Sequence, residues 1–291
     1  MALQPNFLIV GAAKSGTTSL TRYLADHPQV FMPAWKEPGY FSPAQPGRPS
    51  SRRDYLALFA EAGPARAIGE SSTAYLYDEG AANRIWNELG LLKIIIILRH
   101  PADMAFSLWQ HNRRAGLESR EFKLAFKDSA PPDGHRAELA STTQFLYRDR
   151  GMYCEQVRRY LEIFGRRGVR VYVFEEFFGN PQKWYVDVCR FLEISESYLP
   201  REFGRHNEGS RAKSETLSLL LKRRNNLRKA VRVVTPKDLR VKLMRKLQEL
   251  NRSRDKDMLH PEVRRRLASE YSRDIARLEV LLKRSLDVWR A

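Results

Sequence analysis

Short apolar runs and amphipathic stretches alternate along most of the chain. Phe7 to Val10 (FLIV), Val30 to Met32 and Ala67 to Glu70 have the size of buried strands. Lys93 to Leu98 (KIIIIL) is the strongest of these runs, and Val169 to Phe174 (VRVYVF) is a fifth. Between them apolar residues recur at helical spacing. Leu20, Tyr23 and Leu24 mark a helix that stops near His27-Pro28, and Ala105, Phe106, Leu108 and Trp109 mark another after Pro101. Gly151 to Phe164, Pro181 to Leu192 and the tail from Pro261 to Trp289 read the same way. Pro33 to Ser51 is a Pro/Gly-rich loop, and residues 116–148 form a polar, Pro-containing insertion with some helix, expected to be mobile or to face substrate. Strands alternating with helices predict an α/β fold with a central, mostly parallel sheet flanked by helices. No internal repeat or low-complexity linker interrupts the pattern, so residues 1–291 are expected to form a single domain.

Charge changes this picture in one place. The chain carries 51 Lys+Arg against 34 Asp+Glu, a formal +17. Residues 211–256 hold 16 Lys/Arg and 4 Asp/Glu, so this stretch alone supplies +12 of the +17. Leu217, Leu220, Leu221, Leu227, Val231, Leu239, Leu243, Leu247 and Leu250 give it an apolar stripe, with Thr235-Pro236 as a break. Such basic amphipathic helices dock on anionic membrane surfaces or acidic polymers; the plainer alternative is a solvated face on core-packed helices. With 43% hydrophobic residues the chain can bury a real core. The two cysteines, Cys154 and Cys189, make no disulfide framework, and the six histidines show no zinc spacing, so no metal is expected. No apolar run reaches the roughly 18–20 residues of a membrane span. The N-terminus lacks the marks of a secretory signal, which predicts a cytoplasmic protein, at most peripheral to the inner face of the membrane through 211–256.

The segment after the first strand is the most informative. Gly11-Ala12-Ala13-Lys14-Ser15-Gly16-Thr17-Thr18 lies between a strand and a helix, where backbone N–H groups and the helix N-terminus cradle a phosphate. The spacing is that of a P-loop, which makes the expected α/β fold P-loop NTPase-like. The position after Gly16, however, holds Thr17, and the lysine comes earlier as Lys14. A nucleoside triphosphatase also needs an acidic residue at a strand end to hold magnesium. The strongest strand here ends in Arg99, which repels a metal and attracts a second phosphate. Together the two segments describe a site for a nucleotide with more than one phosphate group. A P-loop phosphotransferase or kinase, and a non-catalytic basic module for nucleic acid or membrane, are the competing readings. The missing Lys after Gly16 and the missing strand-end Asp count against the first. The second leaves the two-part phosphate site unexplained, and no nucleic-acid partner is expected.

These residues resemble the sulfotransferases that use 3′-phosphoadenosine 5′-phosphosulfate (PAPS). Lys14-Ser-Gly-Thr-Thr-Ser-Leu20 is similar to that family's 5′-phosphosulfate loop. Leu98-Arg99-His100-Pro101 running to Ser107 is similar to its 3′-phosphate motif, and Lys36-Glu37-Pro38 with Tyr40-Phe41 to the KEP-aromatic segment of the carbohydrate (heparan-type) branch and its bacterial relatives. Gly69-Glu70-Ser71-Ser72 with Tyr75, Gly151-Met152-Tyr153, Arg205-His206-Asn207, Arg211 to Ser214 and the closing stretch to Trp289 also fall where that branch has related segments. Relatives often carry a further basic residue where this chain has Met104, and a smaller polar residue at His100.

The resemblance implies transfer of a sulfonyl group from PAPS to a hydroxyl, or an amine, of a carbohydrate or glycolipid acceptor. Lys14 would stabilise the leaving phosphate. Ser15, Gly16, Thr17, Thr18 and Ser19 would hold the 5′-phosphate, and Arg99 with Ser107 the 3′-phosphate. Glu37 would be the general base, with Lys36 contacting the sulfonate or positioning that base. His111, four residues after Ser107 on the same helix face, is the competing base or a substrate contact. Glu70 could line the acceptor pocket or cap the following loop. Tyr153 could contact the nucleotide or pack its helix, and Arg211 and Lys213 could close over the cofactor or face solvent.

Overall fold

The computed structural model describes residues 3–134, 141–204 and 259–290. Five strands, β1 (Phe7–Gly11), β2 (Val30–Phe31), β3 (Ala67–Ser71), β4 (Lys93–Leu98) and β5 (Val169–Val173), form one sheet in the order β2-β3-β1-β4-β5. Every pairing is parallel. The helices that connect them are α1 (Thr17–Ala25), α2 (Arg52–Ala57), α3 (Ala74–Tyr77), α4 (Ala81–Leu89), α5 (Pro101–Arg114), α6 (Phe122–Asp128), α7 (Tyr153–Gly168), α8 (Phe174–Gly179), α9 (Pro181–Leu192) and α10 (Pro261–Leu282). The described residues of the insertion after α5 include a short helix and a 3₁₀ turn at Thr142–Phe145. Arg205-His206-Asn207 and the basic stretch 211–256, with Arg211 and Lys213, lie outside the described residues.

A parallel sheet needs cover on both faces, and the alternation along its central strands supplies it. Leu8, Val10, Ile94, Ile96 and Leu98 point into a core shared with α3, α4, α5, α7 and α10. Their neighbours Phe7, Ile9, Ile95 and Ile97 point into a second core against α1, α8 and α9. This period-2 division is why KIIIIL has no polar face: each residue meets apolar side chains on one side or the other. Proline sits in the first turn of α5, α9 and α10, where its missing N–H costs nothing. No helix among the described residues is long and apolar enough to cross a membrane.

The order matters for function because β1 lies between β3 and β4. The chain leaves β1 toward one side of the sheet and returns to β4 on the other. Ligands of open α/β sheets bind at the carboxyl ends of strands where the order reverses in this way. The loop after β1, the turn after β3 and the turn after β4 therefore share one edge. Backbone bonds tie these turns together, Ala12 N–H to the Ile97 carbonyl at 2.7 Å and Ser72 N–H to the Ile9 carbonyl at 3.1 Å.

Candidate active site

The loop after β1 turns on Gly16, which stands at φ +85° just before α1. A Cβ there would lie 2.2 Å from the Phe178 ring, so glycine is required by conformation and by space. Ser15, Thr17 and Ser19 are buried, which leaves Lys14 and Thr18 as the more exposed side chains of the loop. Lys14 itself has φ +59°. Among the described residues five non-glycine positions are left-handed. Three of them, Ser129, Glu193 and Lys283, end helices, where that geometry is ordinary. The other two are Lys14 and Glu37, at φ +57°. A left-handed conformation costs a non-glycine residue roughly 1–2 kcal/mol. Its two uses outside helix ends fall on the two residues assigned the central chemistry, as strain at a functional site does.

Lys14 and Glu37 are brought near each other by side chains. Lys36 Nζ donates to Thr18 Oγ1 at 2.6 Å and pairs with Glu37 Oε1 at 3.1 Å, joining the phosphate loop to the KEP segment. Glu37 Oε2 accepts from Thr73 Oγ1 at 2.8 Å and from Thr73 N–H at 3.3 Å, and the Glu37 N–H reaches the Ser71 carbonyl at 3.2 Å. Arg99 follows β4, donates to the Lys14 carbonyl at 3.3 Å and lies over the Phe174 ring at 4.8 Å. Burial pushes the Lys14 ammonium down to about 8, and the charges of Arg114, Lys36 and Arg99 press the same way, opposed by Glu37. Four cations around one carboxylate is an arrangement that a polyanion relieves. The residues present fit a nucleotide that carries phosphate at two positions.

The other expected site residues divide. Ser107 is half-buried on α5, two turns beyond Arg99. His111 is one turn further on and exposed. Glu70 does not line a pocket: it is 1% exposed, on β3 beside Leu8. Tyr55 donates to its Oε1 at 3.3 Å and Ser72 to its Oε2 at 2.8 Å, while the same Ser72 oxygen accepts the Gly39 N–H at 3.0 Å. Burial raises the Glu70 carboxyl to about 7, against the opposite pull of the Tyr75, Ser72 and Tyr55 hydroxyls. Glu70 thus braces the segment that carries Glu37. Tyr153 is fully buried, its ring tilted against Trp289 at 6.1 Å, so it packs behind the Arg99 turn.

Sequence reasoning missed several contributors. Thr73 holds Glu37 from 36 positions away. Arg150, 6% exposed, lies over the Tyr77 ring at 5.0 Å and reaches the Thr73 carbonyl at 3.4 Å. Phe174 carries the Arg99 guanidinium. Only Arg114 had a legible signal, as a basic residue at the end of the helix that Arg99 starts.

The family model of the sulfotransferase domain matches residues 75–271 of this chain. The chain belongs to the PAPS-dependent sulfotransferase family. The crystal structure of a sulfotransferase from Alicyclobacillus acidocaldarius is similar over 99% of this chain and 100% of that one, with 30% identity and a TM-score of 0.74. The family's α/β architecture accordingly accounts for the all-parallel sheet. Human bifunctional heparan sulfate N-deacetylase/N-sulfotransferase 2 is 34% identical over 201 residues, 66% of this chain and 22% of that protein. Membrane-associated sulfotransferase kil1 of Dictyostelium discoideum is 31% identical over 103 residues, 35% of this chain and 22% of that protein. The match spans less than a quarter of the length of each of these two relatives.

Proposed function

We propose that this protein moves a sulfonyl group from PAPS to a hydroxyl or amine of a carbohydrate or glycolipid acceptor, with Glu37 as general base. The observation that carries the proposal is the convergence of Lys14, Lys36 and Arg99 at the ends of β1 and β4, with Glu37 in hydrogen-bonded reach of Lys36. In the transfer an acceptor oxygen or nitrogen bonds to sulfur while the bond from sulfur to the bridging phosphate oxygen breaks. Glu37 takes the acceptor's proton, and Thr73 keeps its second oxygen oriented. Lys14 stands beside the phosphate that takes up the electron pair, and Lys36 spans the donor loop and the base. Ser15, Gly16, Thr17, Thr18 and Ser19 hold the 5′-phosphate at the head of α1. Arg99 and Ser107 hold the 3′-phosphate, His111 being the alternative base.

Two observations support a sugar-like acceptor. The heparan-type relatives carry that acceptor in their names. A cleft of about 460 Å³ begins at Ala74, next to Thr73, and its walls include Tyr77, Asp78, Thr143, Asp149 and Arg159. Polar groups around one aromatic ring suit a polyhydroxylated ring. A single domain over residues 1–291, a cytoplasmic location and a peripheral membrane contact through 211–256 belong to the same proposal. Failure to float with anionic liposomes at low salt would remove the membrane contact.

Calorimetry with adenosine 3′,5′-bisphosphate, with and without EDTA, tests the donor site. Binding that ignores EDTA is expected; no binding, or a strict metal requirement, overturns the proposal. A labelled-PAPS assay against fractionated glycans and glycolipids tests the acceptor, with label expected in a carbohydrate fraction. Label only in protein or small phenols would sink that half.

A further inference from the structure

The C-terminal tail is tied to the turn that carries Arg99. Glu175, at the start of α8, accepts the His100 N–H on Oε1 at 3.0 Å and the Trp289 indole N–H on Oε2 at 2.8 Å. The His100 N–H belongs to the peptide that joins it to Arg99, so its direction sets where the arginine side chain departs. Trp289 also packs edge-on against the buried His100 ring at 6.4 Å and against Tyr153 at 6.1 Å. Two further links run beside this one. Arg264 of α10 pairs with Asp103 in the first turn of α5 at 3.2 Å, and Arg284 pairs with Glu176.

The arrangement is unusual because Glu175 follows Phe174, the residue on whose ring the Arg99 guanidinium rests. A carboxylate is a strong partner for a guanidinium, and one paired with Arg99 would take charge that otherwise meets a phosphate. Among the described residues no carboxylate pairs with Arg99, and each Glu175 oxygen accepts an N–H, which fixes the direction of the carboxylate. We infer that the Trp289 indole N–H is a specificity-determining positioning group: it holds Glu175 away from Arg99 and so keeps the guanidinium open for the 3′-phosphate of the donor. Trp289 is itself buried and acts through Glu175. The C-terminal tail is thereby part of donor recognition, although it lies more than 180 residues from Arg99 in sequence. This inference rests on the assignment of Arg99 to the 3′-phosphate.

The test is a comparison of two ligands, adenosine 3′,5′-bisphosphate and adenosine 5′-monophosphate, across four proteins. These are the wild type, Trp289→Phe, Glu175→Gln and the double variant. Trp289→Phe keeps an aromatic ring and removes the N–H. It is expected to weaken the bisphosphate by about tenfold, equivalent to about 1.4 kcal/mol, and the monophosphate by less than about twofold. Glu175→Gln in the same chain removes the competing charge, so the double variant is expected to recover most of the bisphosphate affinity. The ratio of the two affinities is the readout, because a partly unfolded variant lowers both equally. Equal losses for both ligands, or a double variant no better than Trp289→Phe, overturn the inference. If the wild type itself does not prefer the bisphosphate, the 3′-phosphate assignment fails first and this inference with it. A wild type that discriminates, beside variants with an unchanged ratio, sinks the inference alone.

Discussion

The loop from Gly11 to Thr18 and the segment from Lys36 to Gly39 face each other across the candidate site, yet they are held by different means. The first is set by main chain: β1 is flanked by β3 and β4, Ala12 is bonded to Ile97, and α1 starts directly from Gly16. The second is set by side chains. Glu37 leans on Thr73, Gly39 hangs from Ser72, and Ser72 leans on the buried Glu70. The peptide groups of this cradle have no proton to lose, so pH acts on the donor side through the Lys14 side chain, and most side-chain changes leave the cradle in place. A base held by a carboxylate and three hydroxyls depends on each of them and on pH. The donor side is therefore the rigid half of the site and the base side the adjustable one.

The sharpest way to break this contrast is to remove one charged group from each half. Glu37→Gln is expected to leave bisphosphate affinity intact while single-turnover transfer falls by about 10²–10⁴. If transfer persists, Glu37 is not the base, and His111→Ala is the next variant to assay. Lys14→Ala is expected to lower both quantities, with transfer down about 10²–10³, because the lysine meets the phosphate in the ground state and in the transition state. An effect of Lys14→Ala on transfer alone would mean that the ground state does not use this charge.

A smaller effect concerns pH on the donor side. Lys14 sits at about 8, lowered first by burial and then by Arg114, Lys36 and Arg99. It is charged below that value, and a bound polyanion favours the charged form. Bisphosphate affinity is thus expected to fall as pH rises above about 8, by up to about tenfold per unit. In Lys14→Arg the guanidinium stays protonated, so titrations between pH 7 and 9.5 are expected to lose that slope. A slope that survives in Lys14→Arg would assign the ionisation to another group.

An effect of another kind is on stability, from the base side. Burial raises Glu70 from 4.5 to about 7. Between those values the unfolded chain releases the proton while the folded protein keeps it, so stability falls as pH rises across that window and levels off above about 7. The size is on the order of 3 kcal/mol. Denaturant melts of the wild type and Glu70→Gln from pH 4.5 to 8 are expected to show a flatter dependence in the variant. Parallel curves would mean that Glu70 is ionised throughout.

Some of this was legible without the fold. The strand runs, the Gly-Lys-Gly loop and the arginine that closes KIIIIL are local patterns, and their partners lie within a few residues or in the backbone itself. Glu70 shows where such reading stops. In sequence it is a carboxylate in a motif, with nothing to say whether it faces substrate or core. Tyr55 from α2 and Ser72 from the next turn settle that it is buried and bonded. All five residues of β3 are buried, Glu70 among them, but a carboxylate at a core position is recognised only once its donors are seen.

The sequence by itself determined an α/β chain with a glycine-bearing loop after its first strand and a cation closing its strongest one, because strand periodicity, glycine geometry and the sign of a charge are properties of short segments. The tertiary structure alone decided that Thr73 orients Glu37, that Glu70 braces it from inside, and that Trp289 occupies the carboxylate beside Arg99. Those are side-chain bonds across 36, 2 and 114 positions, and the shortest of them still needs Tyr55 and Gly39 to complete it. Such bonds exist only when parallel strands bring their carboxyl ends to one edge, which the pairing order fixes and local propensity does not.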